Sequence, residues 1–322
     1  MYHLYKRLVS SYHQLIFLKL TMNFHKYLAA LLVLAMSLHS CKIPKGLMTN
    51  LQDTKWIHGS ANCNENTDVP IQVVQLNLNT WILRQNKCVN YEAPFIFLFI
   101  GTRKALLMDT GATEDSTLFP LYATVTKLLA QAAKSGAPAL ELVVAHTHAH
   151  GDHIAGDHQF KNKPNTTVVG LSVEAVKSFF HINNWPLENG TMDLGNRELE
   201  IIPIPGHHQT SIAVYDKQTK ILLTGDSFYP GRLYINDWSA YTQSTQRLLG
   251  FTGNHKVSYL LGNHIEMSTS PGKDYTTGTT YQPNEHALPL TIQQLSELNT
   301  ALKKLGNKPD REIHNSFIIY PK

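Results

Sequence analysis

The 322-residue chain is poor in cysteine, with three, and modest in charge, with 16% Asp, Glu, Lys and Arg against 43% hydrophobic residues. So few cysteines exclude a small disulfide scaffold, and so little charge excludes a self-repelling disordered chain. No motif recurs at a fixed period and no tract is of low complexity, which excludes solenoids and propellers. Asp and Glu are missing from the first 40 residues, where Lys6, Arg7, Lys19 and Lys26 fall. The remainder carries 24 basic and 24 acidic residues, so the formal charge of +4 belongs to the N-terminal segment. A body of balanced charge lacks the basic face that phosphate backbones require, and nucleic acid is set aside as a partner. What remains is one large domain behind a short leader.

The leader has the layout of an export signal. Met22 to Lys26 is a short positive region, and Tyr27 to Leu38 is an apolar run shorter than the ~20 residues that span a bilayer. Leu38-His39-Ser40-Cys41 follows and resembles the lipobox of bacterial lipoproteins, in which the cysteine is lipidated and becomes the mature N-terminus. Residues 1–41 are therefore read as a leader that places the body outside the cytoplasm on an N-terminal lipid anchor. A plain N-terminal membrane anchor is the alternative. Residues 42–69, polar and without periodicity, are read as a tether, and residues 70–322 as the folded domain. Cys63 and Cys88 flank the start of that domain; they form either a disulfide, as an oxidising compartment favours, or two free thiols.

Hydrophobic patterning predicts strands within Ile71 to Leu83, then a hairpin from Phe95 to Met108 closed by Asp109-Thr110-Gly111. A helix is predicted over Thr117 to Ser135 and a strand over Leu140 to Ala145. Further strands are expected at Thr167 to Leu171, Glu198 to Pro203, Ser211 to Tyr215, Lys220 to Thr224 and Val257 to Leu261. Helices are expected at Val173 to Phe180, Trp238 to Leu249 and Leu290 to Leu305. Glu266 to Leu288, rich in Thr, Gly, Tyr and Pro, reads as a long connection suited to a flap, with Tyr275 and Tyr281 on it. Interleaved hairpins and helices imply two sheets with helices on their outer faces.

The chemistry concentrates where the Leu140 to Ala145 strand ends, in Thr147-His148-Ala149-His150-Gly151-Asp152-His153. His148, His150 and Asp152 alternate, so on an extended segment they point one way while His153 faces a neighbouring position, and one turn can feed two metal ions. Three later residues close predicted strands, each with a glycine within two residues before it: His207, Asp226 and His264. Singly, each would be an ordinary surface or core residue; with the cluster they make a ligand set.

That order, H-x-H-x-D-H followed by His, Asp and His, with Asp-Thr-Gly upstream, resembles the metallo-β-lactamase superfamily over about Ile71 to His264. The resemblance implies an α/β (α+β) fold, a four-layer αββα sandwich with the site at one edge of the sheets. It also implies that His148, His150 and His207 hold a first ion, that Asp152, His153 and His264 hold a second, and that Asp226 bridges. Two zinc ions suit these donors, and iron or manganese would accept them. Two cations sharing a water would make it a nucleophile. Asp152 is then expected to orient that water and deliver a proton to the leaving group, and Asp109 either fixes a ligand histidine or merely closes its hairpin.

The substrate expected is a small molecule with an ester, thioester or lactone bond. Asp226 stands where true β-lactamases of the family carry cysteine or serine, and the chain looks more like the glyoxalase II and lactonase branch. Tyr229 falls where acyl-homoserine lactonases carry a tyrosine near the substrate carbonyl, and is otherwise a packed aromatic. Arg232 and Lys273 are candidate partners for a substrate carboxylate. The alternatives are a β-lactam-hydrolysing enzyme, a phosphodiesterase of the same fold, and a zinc-binding surface lipoprotein without activity.

Overall fold

The computed structural model describes residues 48–133 and 139–322; the lipobox lies outside them. Strands β1 (Ile71–Asn77), β2 (Thr80–Gln85), β3 (Phe95–Ile100) and β4 (Lys104–Met108) form an antiparallel meander. After helix α1 (Leu121–Ala132), strand β5 (Glu141–Ala145) joins β4 in parallel, and beyond the one-turn helix α2 (Gly151–Ile154) strand β6 (Thr166–Val168) completes a six-stranded sheet. Helix α3 (Val173–Phe180) leads to β7 (Gly190–Asp193), β8 (Glu198–Pro203), β9 (Ile212–Asp216) and β10 (Ile221–Gly225). Strand β11 (Arg232–Ile235), helix α4 (Trp238–Asn254), β12 (Tyr259–Gly262), β13 (Pro289–Leu290) and helix α5 (Ile292–Leu305) follow, then β14 (Glu312–Ile313) and β15 (Ile318–Pro321). The second six-stranded sheet has the order β13-β12-β10-β9-β8-β7, and β11-β15-β14 form a small third one.

Period-two alternation sorts the strands into layers, because successive side chains leave a strand on opposite faces. Phe95, Phe97 and Phe99 meet Leu199, Ile201, Val214 and Leu223 of the second sheet in the central core. Ile96, Leu98 and Ile100, one step out of phase, pack instead under Leu121, Val125 and Leu128 of α1. On the far side Ala213, Tyr215, Leu222 and Leu260 pack against Tyr241 and Leu248 of α4 and Leu295, Leu298 and Leu302 of α5. Both sheets are thus apolar on two faces, which is why their strands read as continuous hydrophobic runs, and the stack is αββα. Each large side chain so buried is worth roughly 1.5–3 kcal/mol. Thr291 and Gln294 make a reciprocal capping box that starts α5 one residue after β13 ends.

The domain begins earlier than Pro70. Met48 onward belongs to the same compact unit, Leu51 is fully buried, and the Trp56 indole meets the Phe95 ring edge-on at 4.8 Å. Polar residues outnumber these two anchors, so composition hid them. Cys63 and Cys88 are bonded, with Cα atoms 5.1 Å apart. Pro120 holds the start of α1 back to Leu121, and α4 runs five residues past Leu249 to Asn254. Strands β7, β11, β13, β14 and β15, of two to four residues each, lie outside the predicted strands.

Candidate metal centre

Strand direction brings the site together. β4 is parallel to β5, so Asp109 and the 146–148 segment leave the first sheet at one edge. β10 is parallel to β12, and β8 and β10 are both antiparallel to β9, so His207, Asp226 and His264 all follow the carboxyl ends of co-directed strands. Two glycines make the approach possible. Gly206 has φ +141°, and a Cβ there would lie 2.3 Å from the Tyr241 Cα; Gly225 has φ +54° and would put a Cβ 2.9 Å from that of Thr147.

Two groups of donors result. His148 Nε2 lies 2.9 Å from His150 Nδ1, and His207 Nε2 lies 3.2 and 3.1 Å from those two atoms. In the second group His264 Nε2 is 3.4 Å from His153 Nε2 and 3.2 Å from Asp152 Oδ2, which is itself 3.3 Å from His153 Nε2. Asp226 stands between them: Oδ2 is 3.9 Å from His148, 3.8 Å from His207 and 3.5 Å from His153, while Oδ1 is 3.5 Å from His264. All seven residues that the sequence singled out as ligands fall into these two groups and the aspartate joining them.

The outer nitrogens fix which atoms point inward. His207 Nδ1 is 2.8 Å from the Tyr234 carbonyl and His264 Nδ1 is 3.0 Å from that of Glu92; a carbonyl only accepts, so Nδ1 carries a proton and Nε2 is the nitrogen turned inward. His153 Nδ1 donates to the Asp109 carboxylate at 3.2 Å. Thr147 Oγ1 gives its proton to Asp109 at 3.0 Å and so accepts from His148 Nδ1 at 3.2 Å. His148, His153, His207 and His264 therefore each turn Nε2 toward the other donors of their group, within hydrogen-bonding distance. Asp226 Oδ1 is buried without a hydrogen-bond partner among the described residues. So many donor atoms gathered about two points suit a cation at each, and imidazole and carboxylate donors are those of zinc, iron or manganese. The donor set fits two such ions.

Electrostatics separate the two groups. Burial, together with the neighbouring His153, pushes His148 well below its ordinary range, and burial takes His207 down to about 4. His153 is raised well above that range although burial opposes it, because Asp152, Asp226 and Asp109 surround it. His264 is pushed up to about 9, with Asp226 and Asp152 again outweighing burial. The same histidines hold Asp152 and Asp226 far below the usual carboxylate range against the cost of burial. The second group thus draws positive charge.

Asp109 does more than close its hairpin. Its backbone is left-handed at φ +71°, unusual for a fully buried residue, and its carboxylate accepts from Thr147 N at 2.7 Å, His153 Nδ1 and Asn263 Nδ2 at 2.6 Å. Asn263, which the sequence reading passed over, also donates to the Phe95 carbonyl at 2.6 Å and so ties β3 to the turn carrying His264. Its only sequence signal is its place between Gly262 and His264.

Three expectations are corrected. Tyr229 lies with its ring centroid 5.7 Å from that of His264, but it is 1% exposed and its hydroxyl donates to the Arg232 carbonyl at 2.5 Å, so it packs and does not present its hydroxyl to a substrate. Arg232 is buried against Glu266 and Asp274, at 2.7 Å each, and has no charge to spare for a substrate carboxylate. The same ion pairs, a buried Arg84–Glu285 pair and bridges joining Gly59 to Tyr281, Met267 to Asp274 and Ser268 to Glu285 pin the 266–288 segment. It is a wall of the site and not a flap. Lys273 is exposed on it.

The model of the metallo-beta-lactamase superfamily matches residues 91–260. The acyl-coenzyme A thioesterase MBLAC2 of Bos taurus is 28% identical over 209 residues, covering 53% of this chain and 72% of that protein. The hydroxyacylglutathione hydrolase of Rhizobium meliloti is 26% identical over 133 residues, covering 39% of this chain and 52% of that protein. Among solved structures, a metallo-beta-lactamase from Pontibacter korlensis aligns at 18% identity and a TM-score of 0.45 over 72% of this chain and 99% of that one. The family match takes in more than half of the chain, including every donor from His148 to Asp226, and the chain belongs to the metallo-beta-lactamase superfamily.

Proposed function

We propose that the chain is a metal-dependent hydrolase that cleaves an ester or thioester bond of a small molecule at a dinuclear centre, with zinc as the metal. The observation that carries this reading is the pair of donor groups, His148, His150, His207 and Asp152, His153, His264, joined across Asp226. Two divalent cations bound there would acidify a shared water and stabilise negative charge on a carbonyl oxygen. The chain's own residues do the rest. Asp152 is the most accessible of the carboxylates, its side chain 23% exposed against 9% for Asp226, and it is the group placed to orient the attacking water and pass its proton to the leaving group. Thr147 orients His148, and Asp109, itself held by Asn263, orients His153, so these donors are arranged before any substrate arrives.

A carbonyl–sulfur or carbonyl–oxygen bond is favoured over a β-lactam because Asp226 occupies the bridging position and because the curated relatives above are named for hydrolysis of an acyl-coenzyme A and of a hydroxyacylglutathione. The Cys63–Cys88 bond supports a location in an oxidising compartment outside the cytoplasm. The test is a panel of acyl thioesters, esters, lactones, β-lactams and phosphodiesters offered to zinc-loaded protein. The expected outcome is thioester or ester hydrolysis that Asp152→Ala abolishes. Cleavage of β-lactams or phosphodiesters alone, or of nothing by fully loaded protein, contradicts the proposal.

A further inference from the structure

His208, next to the ligand His207, belongs to neither donor group, yet its ring packs edge-on against that of His150 at 4.8 Å and lies 5.9 Å from that of His148. Its orientation is locked. The Thr210 backbone N–H, which can only donate, points at His208 Nδ1 from 3.2 Å, and Thr210 Oγ1 lies 2.8 Å from the same atom. Ser211 closes the turn from both sides, its N–H donating to the His208 carbonyl at 3.1 Å and its Oγ accepting from the His208 N–H at 3.2 Å. With Nδ1 serving as an acceptor, the ring proton resides on Nε2. That Nε2–H has no partner among the described residues, and the ring is only part-buried.

A donor fixed in direction, beside the first histidine group and open to solvent, is what a site needs to hold an oxygen of its substrate. We infer that His208 is a substrate-contacting residue whose Nε2–H donates to an oxygen of the acyl group being released, and equally to the carboxylate of the acid product. The inference rests on the hydrolase reading above for the identity of the ligand, but not on a charge on His208, since Nε2 donates from the neutral ring and from the cation alike.

The test uses hexanoate, a simple carboxylate of the kind that hydrolysis of an acyl ester or thioester releases, titrated calorimetrically into the zinc-loaded full chain. His208→Phe keeps the aromatic packing on His150 and removes the donor; His208→Gln restores a donor. Hexanoate is expected to bind the Phe variant roughly five- to tenfold more weakly, the range of one neutral hydrogen bond, and to recover with Gln, while metal content and thermal midpoint stay at wild-type values. On a thioester substrate the Phe variant raises KM more than it lowers kcat. Equal binding by wild type and the Phe variant overturns the inference, as does no binding by wild type. Metal loss from the Phe variant also overturns it and assigns the ring to support of its ligand neighbours. Hexanoate binding that depends on His208 in a protein that cleaves no ester or thioester leaves this inference standing and removes the hydrolase reading instead.

Discussion

Replacing Asp109 by Asn probes the link between the fold and the metal site with almost no change of shape. The carboxylate is fully buried and accepts from Thr147 N, Thr147 Oγ1, His153 Nδ1 and Asn263 Nδ2. An amide has one accepting oxygen. Turned toward Thr147 N, as the 2.7 Å bond favours, its NH2 faces the protons of His153 and Asn263, and two buried donors lose their acceptor. At roughly 1–3 kcal/mol each, the cost is about 2–6 kcal/mol, a large share of the 5–15 kcal/mol typical of a folded domain. His153 also loses the partner that fixes its tautomer, and outer partners of ligand histidines are typically worth about 10–100-fold in metal affinity. Urea unfolding of protein stripped with a chelator reads the first effect, and zinc titration against a competing chelator reads the second. Asp109→Asn should show both, with the weaker of two zinc steps shifted most. A variant with the wild-type urea midpoint and both affinities intact would refute the assignment of Asp109 as the anchor of His153.

Two further outcomes concern the walls of the site. Lys87 is 3% exposed and donates to the Tyr91 carbonyl at 2.9 Å; burial, aided by the charge of Arg84, pushes it down to about 8 from an ordinary 10.5. Between those values the unfolded chain holds the proton and the folded one sheds it, so folding should gain up to about 3 kcal/mol as pH rises from about 8 to 10.5, with no change below 8. Urea midpoints of wild type and Lys87→Met should therefore diverge above pH 8, and parallel pH profiles would contradict the buried ammonium. For the Arg84–Glu285 pair, with side chains 1% and 7% exposed, Arg84→Met alone should cost about 3–5 kcal/mol by stranding the carboxylate. Adding Glu285→Leu should recover most of it, and single and double variants of equal stability would show that the pair does not pin the 266–288 wall.

Much of this architecture is legible in the sequence because the informative residues carry their chemistry in their side chains. His148 to His153 follow a strand within six positions, and His207, Asp226 and His264 each close another, so the donors could be gathered before any coordinates. The supporting shell could not. The Tyr234 and Glu92 carbonyls that orient His207 and His264 are backbone atoms, available from any residue type, and leave no trace in the pattern. Tyr229 and Arg232 misled for the opposite reason: a tyrosine and an arginine near a ligand look functional, and only burial and partners show one packed and the other spent on Glu266 and Asp274. Within the 42–69 stretch that reads as a tether, residues 48–69 dock on the domain through Leu51 and Trp56, two anchors too few to make a period, although a single buried indole is enough to dock a segment. Asn263 stayed invisible because asparagine between a glycine and a histidine is also an ordinary turn.

The central claim is a centre of two ions joined by Asp226, and metal stoichiometry tests it most directly. Purified protein equilibrated with zinc and freed of excess should carry about two equivalents per chain by elemental analysis, and His264→Ala should carry about one while keeping the wild-type fold by circular dichroism. Protein that never exceeds trace metal, or a His264→Ala variant that still holds two equivalents, would contradict the account.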